Sequence, residues 1–159
     1  EAALSTAWRR LVPEEDGAAL DLMVKGRAVH IPRAAMGVAR LSFHELCEMP
    51  LGAEDYLKIA HAFHTIVLDR IPVMGPEKRN EAKRFITLID ALYDNAVKLI
   101  ASAEAEPVGL YLGQEGYEAL EFQRTVSRLI EMRSHSYLAL PHGRRDSTAS
   151  GSTEGIVET

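Results

Sequence analysis

Thr65-Ile66-Val67-Leu68-Asp69-Arg70-Ile71-Pro72 is the stretch that decides the fold. Four β-branched or aliphatic residues follow one another with no polar interruption, the pattern of a strand buried on both faces of a parallel sheet. The run is expected to stop at Asp69 to Pro72. The clearest helix follows, from Glu77 or Asn80 to Tyr93. In it Phe85, Ile86, Ile89, Leu92 and Tyr93 share one stripe, while Glu81, Lys83, Arg84, Asp90 and Asp94 lie mostly off it. Val97-Lys98-Leu99-Ile100-Ala101 then reads as a second buried strand. Strand, helix and strand make a βαβ unit, so the two strands should be parallel neighbours.

Upstream, Leu4, Ala7, Trp8 and Leu11 stand at helical spacing, and residues 13–17 read as a loop. Residues 19–24 and 27–31 flank Lys25-Gly26, which predicts a β-hairpin. Pro32 should end it, because proline cannot donate to the ladder. Residues 37–43 suit a third strand, and residues 53–63 a short amphipathic helix. Downstream, Pro107, Gly109, Gly113 and Gly116 mark a loop. Residues 117–132 form the last helix, with Phe122, Val126, Leu129 and Ile130 apolar. The expected class is α/β or α+β: a small, mostly parallel sheet flanked by helices, with an N-terminal hairpin. Residues 1–140 form the domain; residues 141–159, rich in Gly, Ser, Thr and charge, are expected to be a disordered tail.

With 47% apolar and 26% charged residues in 159, the chain suits one globular domain. No apolar run approaches the length of a membrane span. A net charge of −5 gives no broad footprint for nucleic acid. Cys47 is the only cysteine, which precludes an intrachain disulfide; a reducing compartment fits. The chain opens without Met, inside a helix, and shows no signal peptide. That opening suggests a fragment.

No Gly-rich loop ending in Gly-Lys-Ser/Thr occurs, so ordinary P-loop ATP binding has no anchor in these residues. Asp69 stands at a strand end, where α/β sheets place ligand groups; it is either a metal-orienting carboxylate, a carboxylate solvated at the strand end, or a partner of Arg70 or Arg84. Arg124, Ser127, Arg128 and Glu131 share one face of the last helix. The two arginines suit a phosphate, a carboxylate or a neighbouring subunit; the plainer reading is a charged face with pairs such as Arg128 with Glu131. His61 and His64 lack enough convergent partners for a metal. His44 and Cys47 lack an orienting third group for nucleophilic chemistry. No catalytic or metal-binding residue is assigned, and Arg124 and Arg128 are the candidates for nucleotide contact.

A longer set of motifs occurs in order: Phe43-His-Glu-Leu-Cys47, Pro50-Leu-Gly52, Asp55-Tyr-Leu57, Phe63-His-Thr65, Ile71-Pro72, Glu81-Ala-Lys-Arg-Phe-Ile86, Leu88-Ile-Asp90, Leu92-Tyr93, Val97-Lys-Leu99, Ser102-Ala-Glu104, Phe122-Gln-Arg-Thr-Val-Ser-Arg-Leu129 and Glu131-Met132. Together, over residues 24–138, they resemble the C-terminal region of the ZapE family, bacterial cell-division-associated ATPases of the AAA class with mitochondrial relatives.

The resemblance implies a parent enzyme that uses ATP and Mg, in cell division or in membrane-associated protein quality control. It implies the C-terminal portion of that enzyme, cut off from its phosphate-binding half, inactive alone and without a cofactor of its own. The missing N-terminal half, further copies of the chain and a division-ring protein are the implied partners. The implied location is the cytoplasm, peripheral to the inner membrane. Residues 66–111 repeat the layout of the family's upstream half, which suggests a degenerate internal copy with Arg70 in place of the catalytic acid. The competing reading is a stand-alone protein-binding module without nucleotide chemistry.

Overall fold

A computed structural model describes residues 2–12 and 17–143. The expected tail from residue 144 onward, and residues 13–16 of the first loop, lie outside the described residues. The chain opens with helix α1 (Ala2–Leu11). Strands β1 (Ala18–Val24), β2 (Arg27–Ala35) and β3 (Val38–Ser42) follow, then helices α2 (Phe43–Cys47) and α3 (Ala53–Ala62). Strand β4 (Thr65–Ile71), helix α4 (Arg79–Asp94), strand β5 (Lys98–Ala103) and helices α5 (Tyr117–Glu131) and α6 (His135–Leu138) complete it.

The sheet runs β1-β2-β3-β4-β5, in the order of the sequence. β1 and β2, and β2 and β3, pair antiparallel; β3 and β4, and β4 and β5, pair parallel. It is therefore a mixed sheet, and the expected mostly parallel sheet is corrected. The parallel half is built by the β4–α4–β5 unit, as the apolar pattern requires. The antiparallel half is built by two tight turns. Lys25 and Gly26, and again Met36 and Gly37, have positive φ, the backbone that matches the twist of two-residue hairpins. At Gly37 a side chain would also collide with His64, whose ring carbon lies 2.5 Å from the position of the missing Cβ.

β4 is continuous in apolar residues because helices cover both faces. Ile66 and Leu68 join the main core with Phe85, Ile89 and Leu92 of α4 and Phe122 of α5. Val67, between them in sequence, faces the other way and packs with Val38 beneath Leu4, Trp8 and Val12. Phe43, Phe85, Phe122 and Tyr111 form a chain of ring contacts at 5.4 to 6.1 Å that joins the loops to the helices.

Two boundaries differ from the sequence pattern, and a third carries a bulge. Pro32 does not end β2, which runs to Ala35. The β1–β2 register shifts between Ala18 and Leu20, opposite Ala34 and Ile31, so the proline falls within an irregular stretch of the ladder. β4 ends at Ile71, inside the expected stop between Asp69 and Pro72. A bulge between Leu68 and Ile71 holds Arg70 at φ 62°, and the Arg70 amide donates to the Ser102 hydroxyl at 2.8 Å. α2 follows β3 directly, because Ser42 and Glu45 close a capping box.

Candidate functional site

Arg124 and Arg128 lie one turn apart on α5, on the side that meets α4. Their common partner is Asp90 of α4. Arg128 donates to Asp90 Oδ1, and its guanidinium lies 4.9 Å from the centre of the Tyr93 ring. Arg124 Nη2 reaches Asp90 Oδ2 at 3.4 Å and Glu121 Oε1 at 2.5 Å. Tyr93 donates its hydroxyl to Glu131 Oε1 at 2.6 Å and stacks on Tyr137. Arg124 thus keeps an intrahelical partner in Glu121, while Arg128 reaches across to α4.

Burial pushes the Asp90 carboxyl above its ordinary value, against the opposing pull of Arg128 and then Arg124. The hydrogen bond that Arg124 donates to Glu121 holds its guanidinium above its ordinary value. Arg128 is 21% exposed and tied to both a carboxylate and a ring; Arg124 is 46% exposed. Arg124 is therefore the more exposed of the two cations, while Arg128 is held in the seam between α4 and α5.

The carboxyl ends of the parallel strands make a second polar cluster. Asp69 is held by Arg40 of β3, with Nε to Oδ2 at 3.0 Å and Nη2 to Oδ1 at 3.1 Å. Only 12% of Arg40 and 11% of Asp69 are exposed. Arg40 Nη1 also donates to Ser5 Oγ of α1 at 3.2 Å. The partner of Asp69 is thus neither Arg70 nor Arg84; Arg84 donates to the Cys47 carbonyl. With both oxygens engaged by one guanidinium, Asp69 is a neutralised strut beneath α1 and fits a metal poorly.

The remaining candidates separate. His64 spans the Thr65 hydroxyl and the Met36 carbonyl, a structural role at the β2–β3 turn. His44 meets Glu48, and burial pushes the Cys47 thiol far up, so no thiolate is available for attack. Among the described residues no three His, Cys, Asp or Glu side chains converge as metal ligands.

Comparison with known proteins supplies what this geometry lacks. The model of the family described as AFG1-like ATPase matches residues 1–141. The chain belongs to the AFG1-like ATPase family. Lactation elevated protein 1 homolog B of Danio rerio is 36% identical over 146 residues, 73% of this chain and 29% of the relative. Cell division protein ZapE of Escherichia coli K12 is 41% identical over 117 residues, 71% of this chain and 31% of the relative. The chain thus spans about a third of the length of the curated relatives it matches. No solved structure matches it.

Membership in the AFG1-like ATPase family corrects several expectations. The match starts at residue 1 and takes in nearly the whole chain, so membership is a property of these residues themselves. The match overturns the expected C-terminal portion and the expected inactive fragment. A separate N-terminal half as partner goes with them, as does the stand-alone module without nucleotide chemistry. Membership supports ATP and Mg as cofactors in general. No helix among the described residues is long and apolar enough to cross a membrane.

Arg40, Asp90 and Lys98 were not singled out from sequence. Arg40 carried a usable signal, a lone charge inside an otherwise apolar strand. Asp90 and Lys98 carried none, because the arginines on Asp90 and the Tyr137 and Leu140 carbonyls on Lys98 lie 34 to 42 residues away.

Proposed function

We propose that this chain serves ATP hydrolysis of the AFG1-like kind, with Arg124 as the cation that meets nucleotide phosphate or a neighbouring subunit and Arg128 as its support. The observation that carries the reading is the half-exposed guanidinium of Arg124, poised on α5 between two carboxylates in a member of an ATPase family. Guanidinium suits phosphate because its fork of donors matches the oxygens and its charge persists at every physiological pH. Bound Mg-ATP would supply the phosphoryl group that is transferred. Arg124 would add positive charge where negative charge develops, the kind of contribution that dominates phosphoryl transfer.

Glu121 and Asp90 keep Arg124 extended until a stronger anion competes for it. The name of the Escherichia coli relative supports cell division as the process, and a cytoplasmic setting at the periphery of the inner membrane belongs to the same reading.

The test is Mg-ATP hydrolysis by the protein expressed from its own gene. Arg124→Ala should lower the rate by about tenfold or more with the thermal midpoint nearly unchanged, and Arg124→Lys should restore it only in part. Equal steady-state rates for all three proteins would remove Arg124 from the mechanism.

A further inference from the structure

β5 is an edge strand. Lys98 N donates to the His64 carbonyl at 2.9 Å and Glu104 N to the Ile71 carbonyl at 2.9 Å, so the even-numbered amides face β4. Alternation then turns the N–H and C=O groups of Leu99, Ala101 and Ala103 outward. β4 is its only neighbour in the sheet, and among the described residues no element pairs with the other edge. The side chains of the same three residues line a groove of about 580 Å³, walled by Leu129 and Met132 of α5.

Natural sheets usually guard such an edge with a lysine, a proline or a bulge. Here proline is absent from β5, and the Lys98 ammonium is turned away to the carbonyls of Ala96, Tyr137 and Leu140. The opposite edge, β1, carries both a charge at Asp21 and a register shift.

The groove ends in two carboxylates. Glu106 is shared with Arg133 at 3.0 Å. Glu104 is held by the Val73 amide at 2.9 Å and has no described ion-pair partner, so the end of the groove is net negative. A second copy of this chain, with a net charge of −5, is a poor electrostatic match.

We infer that β5 and its groove receive an extended segment of a partner protein by strand addition. The segment has small apolar side chains at alternate positions and a lysine or arginine at the end that reaches Glu104. Backbone pairing with Leu99, Ala101 and Ala103 supplies affinity, and the groove and the carboxylate supply register.

The probe is a capped peptide, Lys-Val-Thr-Val-Thr-Val-Lys, titrated into the protein by fluorescence anisotropy and followed by amide hydrogen exchange. Binding should slow exchange at Leu99, Ala101 and Ala103. Ala101→Pro removes an outward donor and should weaken binding about fivefold to tenfold, the loss of one hydrogen bond. Glu104→Lys leaves the strand intact and should weaken it as well, while a peptide with Glu in place of Lys should bind poorly. Protection elsewhere, equal binding of the acidic peptide, or concentration-dependent doubling of mass that blocks the peptide would overturn the inference.

Discussion

Arg40 and Asp69 meet across two strands with about a tenth of each side chain exposed, whereas Arg124 and Asp90 meet across two helices with 46% and 30% exposed. The first pair sits between the sheet and α1, and a hydroxyl of that helix takes a further guanidinium hydrogen bond. The second is a shared arrangement, two arginines on one half-buried carboxylate. The same chemistry therefore does different work in the two places. A desolvated pair with every strong partner in place fixes a geometry, because neither charge tolerates the loss of the other. A wet, shared pair has slack, and slack is what a ligand-seeking cation requires.

The comparison breaks most visibly at Arg40. Arg40→Ala should lower unfolding stability by about 3 kcal/mol, the cost of stranding a buried carboxylate, as read by urea denaturation. The double change Arg40→Met with Asp69→Leu should recover most of that loss. If Arg40→Ala costs no more than a surface substitution, the two clusters do not differ in kind.

Arg128→Ala should cost about 1–2 kcal/mol, through a charge-assisted hydrogen bond and a ring contact. Arg124→Ala should cost about 0.5 kcal/mol at most, since solvent screens it. The order Arg40, Arg128, Arg124 is the prediction; an inverted order would refute the assignment of Arg124 as the mobile member.

Asp90 sharpens the contrast through pH. Its carboxyl is raised by burial, so the folded state holds the proton more tightly than the unfolded chain. Its contribution is fully present below the unfolded value of about 4 and is lost as pH rises through the folded value. Asp90→Asn should abolish that part of the slope in stability against pH. An unchanged slope would mean that the pull of the arginines cancels burial and leaves Asp90 titrating alike in the folded and unfolded states.

The parallel half of the fold was legible because β4 and α4 carry unambiguous periods. Residues 65–68 are apolar without a break, and Phe85, Ile89 and Leu92 recur at helical spacing. Local chemistry also made the hairpin at Lys25-Gly26 readable. Less legible was anything set by neighbours distant in sequence. Val97 to Ala101 looks like an interior strand, yet β5 lies at an edge and is half exposed. Ile130 was grouped with the apolar stripe of α5, yet it is 53% exposed. For β5 the cause is plain: apolar residues beside the open groove look like core to any reading that lacks the outline of the sheet. The arginines of α5 were visible as a face, but their partner Asp90 was not.

The strand order has a consequence for synthesis on the ribosome. Because each strand pairs with the one made just before it, the sheet can be laid down in the order in which the chain emerges, without waiting for a distant segment. Hydrogen bonds made by the C-terminal residues break that rule. The Tyr137 hydroxyl donates to the carbonyls of Leu92 and Val97, and Lys98 reaches the carbonyls of Tyr137 and Leu140. The turn between α4 and β5 is thus latched only after residue 140 has left the exit tunnel, so a nascent chain stalled earlier would hold a formed sheet with an unfastened edge.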